Sequence, residues 1–374
     1  MSNPGQAASN ITATGQAQEL PYLMELIGDT ISTNCALFFA VVEEKRIDTE
    51  THGGEEIRFP VRASVAGNGK WIDSSETGDT ITVAPSNTMR RGVVHWRENE
   101  EPLSLPRIQV VLANTPEQKI NAKAYEIERG LREATDRLGT AIWIGGYEAD
   151  TGPTVRPSIE GIVAWLGNVN VRRYIAGFDR DANQDPFFAN ANVAGSTITQ
   201  ISITLYNKYL LACKKRATRD FLGATTANQF QKLWAEGKNH VSLVQSGLGK
   251  KLMDFNFPTI EINGCPVIAD AHAPADLSLA VGSGGIGLAN GAEALAIIHL
   301  GSWKYHTPPS VAGTRNAEAP KMTSDTSVAW RGFEFEDIKP SEAAPRHVGH
   351  LYSTSQTTYS DPNTGALFPY LAAG

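Results

Sequence analysis

The stretch YIAGFDRDANQDPFFAN, residues 174–190, places an oxygen-bearing side chain at every second position from Asp179 through Asp181, Asn183 and Asp185. A calcium loop begins this way. Such a loop needs glycine at its sixth position for a sharp turn and a bidentate glutamate at its twelfth. Those positions hold Gln184 and Asn190, and Pro186 occupies the eighth. No helical periodicity precedes Asp179. The segment is expected to be an acidic turn flanked by buried aromatics, with no metal.

The chain around it has 374 residues, of which 41% are hydrophobic and 20% charged. That composition builds a folded core, and the length suggests ~2–3 domains or subdomains. The net charge of -7 argues against nucleic-acid binding by bulk attraction. It is compatible with a surface that lies close to DNA without gripping it. Cys35, Cys213 and Cys265 are widely spaced and form no CxxC, so neither a disulfide framework nor a zinc site is expected. The opening MSNPGQAASNITATGQAQ lacks a basic stretch and an apolar run, so it does not read as a signal peptide. The longest apolar run, CALFFAVV at residues 35–42, is far short of the ~20 residues of a membrane helix. Synthesis in the cytosol is expected.

Upstream, residues 1–18 are small and polar and read as an arm. In the region 55–105, Ile57, Phe59 and Val61 alternate with Arg58, Pro60 and Arg62, and Ile81 and Val83 alternate with Thr80 and Thr82. Period-2 alternation predicts a two-stranded ribbon, too thin to fold alone. Its apolar residues, Ile57, Phe59, Trp71, Ile81, Val83 and Trp96, are expected to become buried only against another subunit.

The period then changes. Ile120, Ala124, Ile127, Leu131, Ala134, Leu138 and Ala141 form one helical stripe. Thr115, Pro116 and Gln118 give a capping box with proline at the first helical position, predicting a helix over 116–142. Glu126, Arg129, Arg132 and Glu133 fall on its charged face, and Gly130 and Gly139 interrupt it. A second helix is expected near 196–221, with Ile198, Ile201, Leu205 and Tyr209 on one side. FQKLWAEG reads as part of a third. TIEINGCPVIAD, residues 259–270, predicts a hairpin about Asn263-Gly264. LAIIHL reads as a short buried strand, TSVAWRGFEFEDI as a late strand, and the stretch from about Ser353 as a polar tail.

Motifs that could carry chemistry are weak. Gly282, Gly284 and Gly287 form a literal GxGxxG, but no helix pattern follows directly and no acidic ribose partner lies ~20 residues on, so a flexible loop is expected. KKRATR, residues 214–219, suits a solvated helix end. Cys265 in GCP reads as a small buried hydrophobe. Asp270 and His272, two apart, would share one face of a strand, with no nucleophile beside them.

The order of elements, together with Tyr174, Gly177, Asp179, Arg180, the Pro186-Phe187-Phe188-x-Asn190 segment and the hairpin NGCPVIAD, resembles the major capsid proteins of tailed bacteriophages, the Hong Kong ninety-seven capsid fold. Many members carry a Y-G-G-I-D-R segment before F-W-x-N, and N-G-x-P-V-x-x-D in a hairpin. Here Ala176, Phe178 and Phe188 depart from that pattern. The resemblance implies an α+β chain with an N-terminal arm (1–45), an extended β-hairpin E-loop (46–110) and a P-domain (111–194) with a spine helix over 116–142. It implies an A-domain of mixed sheet and helices (195–300), a return to the P-domain (301–350) and a C-terminal tail (351–374).

It further implies a major head protein that self-assembles as hexamers and pentamers into an icosahedral capsid around phage double-stranded DNA. No enzyme activity, cofactor or membrane contact is implied. The virion would be its location, and the host bacterial cytoplasm its place of synthesis. A separate scaffolding protein, a portal and a decoration protein are implied partners. Lys70, Trp71, Arg90, Arg91, Arg129 and Arg132 are the implied inter-subunit contacts, Lys70 as a solvated loop residue rather than a cross-linking one. An encapsulin-like cargo shell shares the fold and is the alternative. A nucleotide-binding enzyme built on the GxGxxG is the third reading.

Overall fold

A computed structural model describes residues 35–44, 46–49, 56–62, 89–106, 116–146, 158–167, 174–180, 192–194, 200–237, 247–254, 257–275, 292–308, 333–340 and 346–372. Two sheets organise them. In the first, β1 (Ile47–Thr49), β11 (Trp303–Thr307), β13 (Arg346–Tyr359) and β12 (Phe333–Pro340) lie in that order, and β4 (Arg97–Pro106) pairs with β13. The second has the order β14 (Ala366–Ala372), β10 (Ala292–His299), β7 (Phe221–Thr225), β9 (Cys265–Ala269), β8 (Thr259–Ile262).

The long helix runs Pro116–Ile144, two residues beyond the expected end. Ile127, Leu131, Ala134 and Leu138 bury the predicted stripe, and Ile142 and Trp143 extend it. Gly130 and Gly139 do not interrupt the helix. They are places of close approach: a Cβ on Gly130 would stand 2.2 Å from Leu103 of β4, and one on Gly139 would stand 2.7 Å from the His272 ring. Glu126 is not on a solvated face either. It is 9% exposed and accepts the Ser104 backbone N–H at 3.0 Å, tying the helix to β4. The helix therefore covers the face of the sheet that carries Leu103 and Glu101.

The hairpin β8–β9 forms as expected. Asn263 and Gly264 take φ of 50° and 76°, the left-handed pair that a two-residue hairpin turn demands. The same chemistry recurs in the opening stretch, where Ala176 and Gly177, at φ 53° and 84°, turn β5 (Tyr174–Ile175) into β6 (Phe178–Asp179). The calcium-loop positions from Asp181 onward, the GxGxxG and the Pro186–Asn190 motif lie outside the described residues.

Three expectations are corrected. First, the C-terminal segment is not a tail. β13 is the common partner of β4, β12 and β11, and β14 closes one edge of the second sheet. Thr, Ser and Gln make this stretch read as polar, but Ser355, Gln356, Thr357 and Thr358 are buried with their polar groups bonded inside. Second, the base of the ribbon, β2 (Glu56–Arg62) paired with β3 (Met89–His95), buries Ile57, Phe59, Val61 and Val94 in the chain's own first core. Third, the second helix is shorter, spanning Ile203–Lys214 with Ser202 as N-cap; Tyr206, Leu210 and Cys213 are its fully buried residues, and the expected Leu205 and Tyr209 pack half-buried against the same core. Ile201 is buried ahead of the helix.

Candidate functional site

The residues singled out from sequence occupy separate elements. Lys70 and Trp71 lie outside the described residues. Arg90 and Arg91 are exposed on β3, near the end of the described ribbon. Arg129 and Arg132 are on the long helix, where Arg129 bonds Glu126 at 2.7 Å and Glu133 at 2.6 Å and Arg132 bonds Glu128 at 2.5 Å. Those carboxylates hold the Arg129 guanidinium more firmly charged, and the Arg129 hydrogen bonds pull Glu126 and Glu133 below the usual carboxylate range. Pairs of this kind at helical spacing contribute about 0.3–0.5 kcal/mol each when exposed, so they tune the helix surface more than they hold the fold.

Nothing catalytic assembles among the described residues. Burial pushes the thiols of Cys213 and Cys265 up to about 12, and raises Cys35 as well, so all three are held in the protonated thiol form at neutral pH. Cys265 sits 3.1 Å from the Tyr206 hydroxyl and is a packed core residue, as its sequence context suggested. Asp270 and His272 are not on a strand. They occupy the turn after β9, where Asp270 accepts the backbone N–H groups of Leu37 and His272 at 2.9 and 2.8 Å. The His272 Nε2 lies 3.0 Å from Asp136 of the long helix, so the pair fastens three elements together. Lys214, in the last turn of its helix, donates to the Asn263 carbonyl at 2.7 Å.

Two residues have anchoring roles that were not legible in advance, although Arg180 was among those that carried the resemblance. Arg180, in the quoted stretch, is fully buried and donates to the Trp165 carbonyl at 2.7 Å, capping the C-terminal end of the buried helix Ile162–Leu166 with a cation. Glu293 in β10 is 5% exposed and accepts hydrogen bonds from Thr226, Asn228 and Gln229 at 2.7, 2.9 and 2.7 Å. These partners stand at the start of the helix Ala227–Gly237, where a carboxylate suits the helix dipole.

Surface faces remain as the places where function can lie. Strand alternation fixes two of them. On the ribbon, Ile57, Phe59 and Val61 point to the core, so Arg58 and Pro60, with Val93 and Arg91 opposite them in register, form the outer face. On the first sheet, Leu103 and Leu351 face the core, so Glu98 and Glu100 share the outer face with Thr354 and Tyr352 in register, and with His350 beyond them. Glu334 and Glu336 of β12 are in register with Tyr352 and His350. His350 and Tyr352 stack at 5.6 Å, and His350 Nδ1 lies 2.8 Å from Glu100. No helix among the described residues is long and apolar enough to cross a membrane.

No family model matches the sequence, and no curated protein matches it. Solved structures do match the fold. The capsid asymmetric unit of cyanophage A-1(L) is similar with a TM-score of 0.60 at 12% identity, over 91% of this chain and 94% of that one. The capsid of an empty GTA particle gives 0.51 at 10% identity, over 89% and 90%. The holo-SrpI encapsulin complex of Synechococcus elongatus PCC 7942 gives 0.51 at 8% identity, over 88% and 85%. The architecture is that of the Hong Kong ninety-seven capsid fold, as the resemblance implied.

Proposed function

We propose that this chain is the major head protein of a tailed phage, a structural subunit that assembles with copies of itself into an icosahedral shell around double-stranded DNA. The fold carries the reading: its likeness to the cyanophage capsid subunit extends over nearly the whole of both chains. In this reading the ribbon is the root of the E-loop, and the long helix and first sheet form the P-domain. The second sheet with its helices is the A-domain near the capsomer centre. That sheet takes its edge strand β14 from the end of the chain, so the A-domain comprises 195–300 and a C-terminal strand.

Hexamers and pentamers are the expected capsomers, the virion is the location, and the bacterial cytoplasm is the site of synthesis. Packaged DNA lies inside without sequence-specific contact, consistent with a net charge of -7. A scaffolding protein, portal and decoration protein are the partners such a shell would use. The role is structural rather than catalytic, which the protonated, buried thiols support.

An encapsulin-like cargo shell is the second reading, favoured by the likeness to the Synechococcus complex. Negative-stain microscopy of the expressed chain tests both. Closed shells, tubes or capsomers support a shell subunit, and a chain that stays monomeric at every concentration overturns it. Particles made alongside the genes that flank this one then separate the two: nuclease-protected DNA supports the phage head, and a co-purifying enzyme supports the cargo shell. Replacing residues 64–85, which lie outside the described residues, with a short Gly-Ser turn should leave the subunit folded and stop assembly.

A further inference from the structure

The turn of the β8–β9 hairpin holds an Asn-Gly pair in the open. Asn263 and Gly264 are both exposed, and a Cβ on Gly264 would meet nothing within 4 Å. We propose that Asn263 is a site of spontaneous covalent modification, its amide converted to aspartate or isoaspartate through a succinimide, and that Asn207 and Lys214 of the neighbouring helix set the rate. The chemistry is independent of whether the chain builds a shell.

The nucleophile is the peptide nitrogen that follows the asparagine. Gly264 N gives its proton to hydroxide and attacks Asn263 Cγ. The new N–Cγ bond closes a five-membered ring, and Nδ2 takes a proton from water and leaves as ammonia. A second water opens the ring. Addition at Cγ breaks the N–Cγ bond and gives aspartate. Addition at the main-chain carbonyl carbon breaks its bond to Gly264 N and gives isoaspartate, with the chain running through Cβ and Cγ. Water and its hydroxide are the only co-reactants, and nothing is oxidised or reduced. Glycine suits the step, because a residue without Cβ leaves its nitrogen open to approach. Ile262 and Cys265 close the strand pairing on either side, and no hydrogen bond claims the Gly264 N–H among the described residues.

Two contacts act on this reaction with opposite sign. Asn263 Nδ2 donates to Asn207 Oδ1 at 2.8 Å, which ties the side chain to the helix, so ring closure must break that bond. Lys214 Nζ donates to the Asn263 carbonyl at 2.7 Å. That carbonyl and Gly264 N belong to one peptide unit. Once the nitrogen loses its proton, it shares the negative charge with the oxygen, and the cation stabilises that charge. Asn207 therefore slows the conversion and Lys214 speeds it. The two products differ in fit. Aspartate keeps the backbone of the hairpin and brings a carboxylate near Lys214. Isoaspartate lengthens a turn whose two residues are fixed at left-handed φ of 50° and 76°.

The test ages the purified full chain at mildly alkaline pH and follows residue 263 by peptide mapping with mass spectrometry. Both products are heavier than the parent by the difference between a hydroxyl and an amino group, and isoaspartate is told from aspartate by its substrate-specific methylation. Asn68-Gly69 and Asn290-Gly291, which lie outside the described residues, are the other two Asn-Gly pairs and supply reference rates in the same digest. Relative to these, Asn207→Ala should speed conversion at Asn263 by about fivefold. Lys214→Met should slow it by about the same factor. Circular dichroism certifies the fold of each variant. Two conservative changes keep the result readable if a truncation loosens the hairpin. Asn207→Asp still accepts from Nδ2 and Lys214→Arg still donates to the carbonyl, so both should stay near the parent rate.

A parent that keeps its amide at Asn263 while the reference pairs convert would overturn the site. Conversion that Asn207→Ala and Lys214→Met leave unchanged, or move in the same direction, would overturn the control by the helix.

Discussion

Phe59 of the ribbon sets its ring edge-on against Trp165 of the buried helix, with centroids 6.0 Å apart and planes at 82°. Gly92 on the facing strand leaves room for it, since a Cβ there would meet the Phe59 ring at 2.7 Å. The ribbon therefore has two parts with different energetics. Its base belongs to the subunit's core, whatever its far end does. Phe59→Ala should destabilise the isolated subunit by about 3–5 kcal/mol, the cost of emptying a buried aromatic site. Arg58→Ala, on the opposite face of the same strand, should stay within about 0.5 kcal/mol. Denaturant midpoints of the two variants measure the contrast, and equal midpoints would place the base of the ribbon outside the core.

A second expectation concerns the crossing of two glycines. The Gly161 N–H donates to the Gly145 carbonyl at 2.9 Å, just where the long helix ends and the short buried helix begins. A Cβ on Gly161 would stand 2.6 Å from both the Gly145 nitrogen and the Trp143 carbonyl oxygen, which are backbone atoms with nowhere to go. Gly161→Ala should cost about 3 kcal/mol or more. Gly130→Ala meets only the end of the Leu103 side chain, and alanine returns up to about 1 kcal/mol of helix propensity. Its net loss should be near 1 kcal/mol. Thermal melts of the two variants rank them, and a reversed ranking would refute the argument.

How much of this was legible in sequence follows the physics of each signal. The long helix showed itself because its stripe persists over many turns, and the hairpin at Asn263-Gly264 because its turn admits few residue types. The ribbon was found but misassigned: alternation reports which residues share a face, not whether the buried face meets its own chain or another. The strand β13 was missed because most of its buried residues are Ser, Thr and Gln, which hydrophobic periodicity cannot detect, and β14, with buried Leu367, Phe368 and Leu371, is a short run after a Gly- and Pro-containing stretch. Gln356, for example, accepts from the Glu160 backbone at 2.8 Å and donates to the His95 carbonyl at 2.7 Å, and both partners are distant in sequence. Arg180 and Glu293 hid for the same reason, since a buried charge is recognisable only once its donors and acceptors are placed. Of the expected contact residues, Arg129 and Arg132 are engaged by carboxylates of their own helix, which a sequence shows only once the helical spacing is applied to each pair.

Truncation tests the corrected C-terminus. Leu367, Phe368 and Leu371 of β14 are buried, and Phe368 packs edge-on against Tyr209 at 4.9 Å. Burial of each contributes about 1.5–3 kcal/mol. Together they rival the ~5–15 kcal/mol that separates a folded domain from its unfolded chain. A chain ending at Tyr359 should therefore lose its cooperative transition or accumulate as insoluble protein. A soluble product with the parent's melting temperature would return the segment to the status of a tail.

The turn after β9 makes stability depend on pH. Burial disfavours the charged form of His272, but Asp270 and Asp136 outweigh it and hold its pKa above the ordinary histidine value. A histidine raised in the folded state contributes stability that is fully present below its unfolded value of about 6.5 and is lost as pH rises through the folded value. His299 and His306 act with the opposite sign, because burial lowers both, His306 to about 4. Their penalty appears only as pH falls below about 6.5, so raw stability curves mix the two effects. The difference between the parent and His272→Gln separates them, since His299 and His306 are common to both chains. That difference should be largest near pH 6 and shrink towards about pH 8. The Asp136 side chain is 78% exposed, so its share should fall in high salt, while the buried Asp270 share should persist. Asp136→Asn in the His272→Gln background should then add little at any pH. A stability difference that is flat across this range would show that His272 is neutral in the fold and holds its three elements by packing against Gly139 alone.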